Sequence, residues 1–213
     1  MRYALYRAAL RVSAFLGTLS LALGCGGRPT PAPSTSDSVF LQSIPTSEYD
    51  QNILYYAGQA YPGSTLSETL SAKARAMDAF LAALPEDRLG TRYARGKWTV
   101  AEVVQHVISY EHIMAESALM IAGRAPRPLR YQRYTQASTA AGAEGKSVAD
   151  LRRDAAAAHA YAVAAFTSLS EEELRRVGRH EGFRVSPRAL GACLSGHQAH
   201  HLGVLRDRYL QSR

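Results

Sequence analysis

GKWTVAEVVQHVISYEHIM, residues 96–114, decides most of the fold. The Thr99 hydroxyl stands where it can cap a helix, and Glu102, three residues on, can reach back to it, which makes a capping box. Val103, Val107, Tyr110 and Met114 then recur at steps of four and three, so one apolar face runs on toward Gly123. Glycine there supplies the left-handed residue that commonly ends a helix. The spacing therefore predicts a helix from Thr99 to near Gly123. His106 falls at its middle among Val103, Val104, Val107 and Ile108, an awkward place for an imidazole with no partner. Taken alone, its ordinary reading is a core histidine satisfied by a carbonyl or hydroxyl.

The same pattern repeats on either side. Upstream, Thr65 and Glu68 form a second capping box, and Leu66, Leu70, Ala74, Met77, Leu81 and Leu84 make an apolar stripe that stops at Pro85. Downstream, Ser147 with Asp150 opens a helix to about Leu169 that carries Leu151, Ala155, Ala158, Ala162 and Phe166 on one face. Ser170 with Glu173 caps a short turn. Ser186-Pro187 then starts a last helix running to about Tyr209. Between the second and third helices, Arg124 to Lys146 reads as a long loop lying over or beside the others. Ser47 to Ala60 suggests a short helix that packs Tyr55 and Tyr56 onto the body. No segment alternates with period two for long enough to build a sheet. Four long amphipathic helices in one domain make an all-α, four-helix bundle, and bundles place their sites between facing helices.

On the last helix, Gly196-His197-Gln198-Ala199-His200-His201 puts His197 and His201 four residues apart. At that spacing both imidazoles leave one face, close enough to share an ion. Surface pairs at this spacing also arise by chance, so a third ligand from another helix is required, and His106 is the candidate. Gln198 occupies the place where a zinc protease of the HExxH kind carries its glutamate base, and an amide cannot take up a proton at neutral pH, which excludes that protease class. Glu102 and Glu111 are candidate general bases, against capping for the first and an ion pair for the second. Tyr110 shares the His106 stripe and reads equally as core. Cys193 lies one turn before His197 and reads as a small buried residue rather than a fourth ligand. His200 points away from the pair toward another helix. His112, His159 and His180 have no partner at ligand spacing and read as surface or loop residues.

The N-terminal region differs in kind. Arg2, Arg7 and Arg11 precede an apolar run, Val12 to Leu23, that is short for a membrane span. The run ends in Leu21-Ala22-Leu23-Gly24-Cys25, which resembles the lipobox of bacterial lipoproteins, although Ala22 stands where leucine is usual. Simple cleavage by an ordinary signal peptidase and an uncleaved anchor helix are the alternatives. Arg28 to Ser38, rich in Pro, Ser and Thr, suits a tether. The expected organisation is a signal over residues 1–25, a tether and extension over 26–63, and the bundle over 64–213. A lipidated Cys25 leaves Cys193 with nothing to pair with, so no disulfide is expected. The formal charge of +7 owes three charges to the signal, and the remaining charges are interspersed without a basic run, which argues against nucleic-acid binding.

Residues 96–107 with Glu111, and Gly196 to Leu202 ending in Arg206 and Tyr209, resemble the second-helix and last-helix signatures of the DinB-like superfamily. The similarity covers roughly residues 64 to 210. It implies a DinB-like four-helix bundle, a divalent metal ion held by His106, His197 and His201, zinc or nickel as that ion, and frequent homodimers. Three neutral imidazoles leave coordination positions open, as in catalytic rather than structural sites. The family's activities are thiol transfer, thiol-assisted isomerisation and metal-dependent hydrolysis. Export to the cell envelope disfavours the thiol chemistries, whose thiols are chiefly cytosolic, and leaves hydrolysis of an unknown small molecule. The competing expectation is a non-catalytic lipoprotein that binds a small ligand or partner through the bundle, in which case the site is sealed and apolar.

Overall fold

The computed structural model describes residues 39–124 and 139–211, all within the compact unit Ala32–Arg213. The expected signal, lipobox and tether, and most of the loop before Lys146, lie outside the described residues. Four long helices dominate: α1 (Leu66–Ala82), α2 (Val100–Ala122), α3 (Val148–Thr167) and α4 (Pro187–Val204), the last extended by one π turn over Leu205–Tyr209. The capping boxes at Thr65, Thr99 and Ser147 form in both directions, hydroxyl to backbone and carboxylate to backbone. Gly123 ends α2 in the left-handed conformation, at φ 78°.

The helices form a ring in an order that departs from the chain. α2 packs against α3 and α4, and α1 packs against the same two. Consecutive helices α1 and α2 therefore face each other across the diagonal of the bundle. The core is divided across the bundle into two ends. One apolar cluster includes Leu70, Met114, Phe166 and Leu194, and a second includes Leu81, Val104, Leu151 and Leu202. Between them lies a polar layer with one side chain from each helix: Lys73 of α1, Glu111 of α2, His159 of α3 and Gln198 of α4. Lys73 Nζ meets Glu111 Oε2 at 2.6 Å, with both side chains almost fully buried. His159 Nδ1 stands 3.5 Å from the other carboxylate oxygen, and Gln198 Nε2 donates to the Lys73 carbonyl at 2.7 Å.

From Pro187 to Gln198, α4 is buried on nearly every side, because the segment before α1 covers its outer face. That segment is less regular than the expected single helix: two 3-10 turns, Thr46–Glu48 and Gln51–Ile53, lead into a four-residue helix, Leu54–Ala57. A partly buried ion pair between Arg188 and Glu48 pins it. Its backbone approaches so closely at Gly196 that a Cβ there would lie 1.7 Å from the Tyr56 carbonyl oxygen.

Against the expectation of no sheet, Gly178–His180 (β1) and Phe183–Val185 (β2) pair as an antiparallel hairpin. Three residues per strand are too few for alternation to show in a sequence. The hairpin is joined to the body by Asp50, whose N–H donates to the Arg184 carbonyl at 2.9 Å and whose Oδ2 accepts from Arg184 N–H at 2.8 Å. His180 corrects its reading as a surface or loop residue. It is 4% exposed, with Nδ1 2.9 Å from Ser117 Oγ. Neither its burial nor the partner of His159 on another helix can be inferred from ligand spacing. Among the described residues no helix is long and apolar enough to cross a membrane.

Candidate metal centre

The i, i+4 pair on α4 and the mid-helix histidine of α2 meet where these two helices pack side by side. His197 Nε2 lies 3.2 Å from His106 Nε2 and 3.2 Å from His201 Nε2, and the three donor atoms all fall within 4.8 Å of one another. Tetrahedral coordination with metal–nitrogen bonds near 2.0–2.1 Å sets donors about 3.3 Å apart, so two of the three spacings already have the required size. Thr139 Oγ1 stands 2.6 Å from His106 Nδ1 and is a partner for the N–H on that nitrogen. A proton held there leaves the Nε2 lone pair directed at the other two rings.

Electrostatics keep these rings in the ligand form. Burial pushes His106 down to about 4. His201 falls to about 3 through burial first and then through its neighbours His106 and His200. Burial, followed by His201, His106 and His200, holds His197 well below the ordinary imidazole range. All three are neutral at pH 7, as a metal ligand must be.

The surroundings are aromatic and polar. Tyr110 stacks on His197 with ring centres 4.5 Å apart, and Tyr56 meets the same ring edge-on at 5.1 Å. Trp98 tilts against His106 at 5.1 Å. Tyr56, Tyr110, Thr139 and Glu181 join the three histidines around a cavity of about 190 Å3. It opens to solvent beside exposed Glu181 and is lined by hydroxyls and a carboxylate.

Other candidates fall elsewhere. Glu102 is committed to the start of α2, accepting from Thr99 N–H at 2.6 Å and pairing with Arg92 at 3.1 Å. Glu111 belongs to the polar layer, where burial alone would raise its carboxyl, and Lys73 and His159 together hold it below the usual carboxylate range. Cys193 is a buried free thiol, pushed up to about 12 by burial and then by the Glu181 carboxylate, and it does not join the three-histidine cluster. His200 packs on the rings of Tyr55 and Tyr56, both at 5.5 Å. Tyr56, Thr139 and Glu181 carry no periodic signal, since all three lie outside the four long helices. Of the three, only Tyr56 is singled out by the sequence, as a residue packing onto the body.

A search of curated proteins finds no match. Among solved structures the chain is similar to YfiT from Bacillus subtilis, described as a probable metal-dependent hydrolase with an unusual four-helix bundle topology. The TM-score is 0.53 at 18% identity, over 80% of this chain and 98% of that one. At that identity the likeness speaks for the four-helix fold. The DinB superfamily model matches residues 69–205, well over half of the sequence. The chain belongs to the DinB superfamily.

Proposed function

We propose that this protein is a metal-dependent hydrolase of the cell envelope, in which His106, His197 and His201 hold one zinc or nickel ion. The observation that carries the reading is the convergence of three neutral imidazole nitrogens at the wall of an open, polar cavity. A structural ion is normally closed off by four protein ligands, whereas three histidines beside a cavity leave room for a reactant. The sealed apolar pocket expected of a non-catalytic ligand-binding lipoprotein is not what surrounds them. YfiT's description as a probable metal-dependent hydrolase points the same way.

A divalent ion bound there would supply a Lewis acid that polarises a carbonyl and makes water a better nucleophile at neutral pH. The chain's own groups do the rest. Thr139 fixes the tautomer of His106, and Tyr110 and Tyr56 hold the ring of His197 in place by stacking and edge contact. Burial, then the neighbouring Glu181 carboxylate, raises the Tyr110 phenol, which stays protonated and donates to Glu181 at 3.2 Å. Lipid on Cys25 would hold the domain at the membrane through the tether, and a homodimer is the proposed assembly.

Metal content of the purified full-length protein tests the reading. One zinc or nickel per chain is expected in wild type and none in His197→Ala. Thr139→Val should weaken the metal roughly 10- to 100-fold in competition with a chelator, as losses of an imidazole's outer partner do. Equal metal in wild type and His197→Ala refutes the assignment.

A further inference from the structure

Glu181 occupies a place that its backbone disfavours. With His180 paired to Phe183, Glu181 and Gly182 are the two loop residues of the hairpin, at φ 50° and 89°. Such a turn needs left-handed backbone at both positions and favours Asn-Gly; a glutamate there is strained where asparagine or glycine is not. Glu181 is the one non-glycine residue with positive φ among those described. Strain of this kind persists where the surroundings over-determine it and is a pointer to function.

The surroundings are well fixed. His180, next to Glu181, is buried and anchored to Ser117 of α2. At the start of the hairpin Gly178 lies so close to α2 that a Cβ would be 2.8 Å from Ile121 Cγ1. The turn is thereby held over the cavity, and Tyr110 Oη donates to Glu181 Oε2 at 3.2 Å. Glu181 is the one carboxylate among the residues lining the cavity, which include no lysine or arginine among those described. A carboxylate at the wall of a cavity otherwise lined by neutral hydroxyls and imidazoles is the acceptor for an ammonium group, by ion pairing and charge-assisted hydrogen bonding, with the Tyr56 and Tyr110 side chains beside it.

We infer that Glu181, Tyr56 and Tyr110 form a specificity subsite for a substrate carrying an ammonium group a few bonds from the carbonyl that is attacked. The inference rests on the hydrolase reading above and adds its substrate class. The cavity volume of about 190 Å3 equals that of about six water molecules at roughly 30 Å3 each, which limits the reacting portion to a small group.

Two hydroxamic acids of equal reach test it by isothermal titration into the zinc-loaded full chain, with zinc measured in every sample. β-Alanine hydroxamate carries an ammonium, and the monohydroxamate of succinic acid carries a carboxylate in its place. Wild type should prefer the first by about tenfold or more, the scale of one charge-assisted contact. Glu181→Gln should reduce the preference below about threefold, and Glu181→Asp should retain it. A wild type without the preference, or a preference that survives in Glu181→Gln, overturns the subsite and leaves the metal reading standing. A wild type that retains no zinc overturns both.

Discussion

Replacing Gly196 by alanine places a carbon 1.7 Å from the Tyr56 carbonyl oxygen, 2.5 Å from its carbonyl carbon and 3.1 Å from the Ala60 nitrogen. These are backbone atoms, so no side-chain rotation relieves the overlap. The segment around Leu54–Ala57 must lift from α4 by more than about 1 Å to restore ordinary contact. In a helix interior, Gly→Ala is worth about 1 kcal/mol of added stability when space is free. Overpacking a close contact costs about 1–3 kcal/mol, and here two rigid backbones meet, which places the cost at the upper end. Lifting also stretches the Tyr61 N–H bond to Ser195 Oγ, 3.0 Å long, and draws the Tyr56 ring away from His197. The net expectation is a loss of about 1–2 kcal/mol, or a Tm lower by roughly 2–8 °C for a chain of this size. Gly203 on the same helix supplies the control, since a Cβ there meets nothing within 4 Å. Gly203→Ala should raise stability by up to about 1 kcal/mol. Urea unfolding followed by circular dichroism reads both, and hydrogen exchange over residues 50–61 should quicken in the Gly196 variant alone. If both substitutions stabilise, the close approach at Gly196 does not exist and the reasoning fails.

Further outcomes follow from the buried ionisable groups. In chelator, the metal-free protein should lose stability as pH falls from 6.5 toward 4. His106 and His201 have depressed folded values, about 4 and 3, so the unfolded chain takes up their protons first. Each contributes a slope approaching 1.4 kcal/mol per pH unit below 6.5. A urea midpoint unchanged between pH 7.5 and 5.5 would contradict the burial of these rings. Lys73→Met strands the Glu111 carboxylate in the interior and should cost about 3–5 kcal/mol by denaturation, whereas Lys73→Met with Glu111→Leu should recover most of that loss. Additive losses in the pair of substitutions would show that the two charges do not interact.

The helices were legible because their signals are local. Each capping hydroxyl at Thr65, Thr99 and Ser147 sits three residues from its carboxylate, and apolar steps of three and four need no tertiary knowledge. The same locality made His197 and His201 visible as a pair. His106 became a candidate third ligand through the motif around it, and its meeting with α4 is a fact of packing. What escaped reading depends on contacts distant in sequence. Thr139 reaches His106 from 33 positions away, and Glu181 reaches Tyr110 from 71. His180 and His159 looked unpartnered because their partners, Ser117 and Glu111, sit on a different helix. The ring order that sets α1 diagonal to α2 left no trace in loop lengths or periodicity.

The polar layer bears on how the four helices find their alignment. Apolar stripes tolerate sliding, since leucine against alanine one turn further along is still a buried contact. Lys73, Glu111, His159 and Gln198 do not, because each helix contributes one member at a single height. Shifting any helix by one turn, about 5.4 Å, would leave its member facing hydrocarbon and the others short of a partner. For Lys73 or Glu111 the penalty is an unpaired interior charge, several kcal/mol against a total stability of about 5–15. The layer thus acts as a key that admits one registration of the bundle. Because Gln198 is the chain neighbour of His197, and Glu111 follows His106 by little more than one turn of α2, that registration is also the one that brings His106 against His197 and His201.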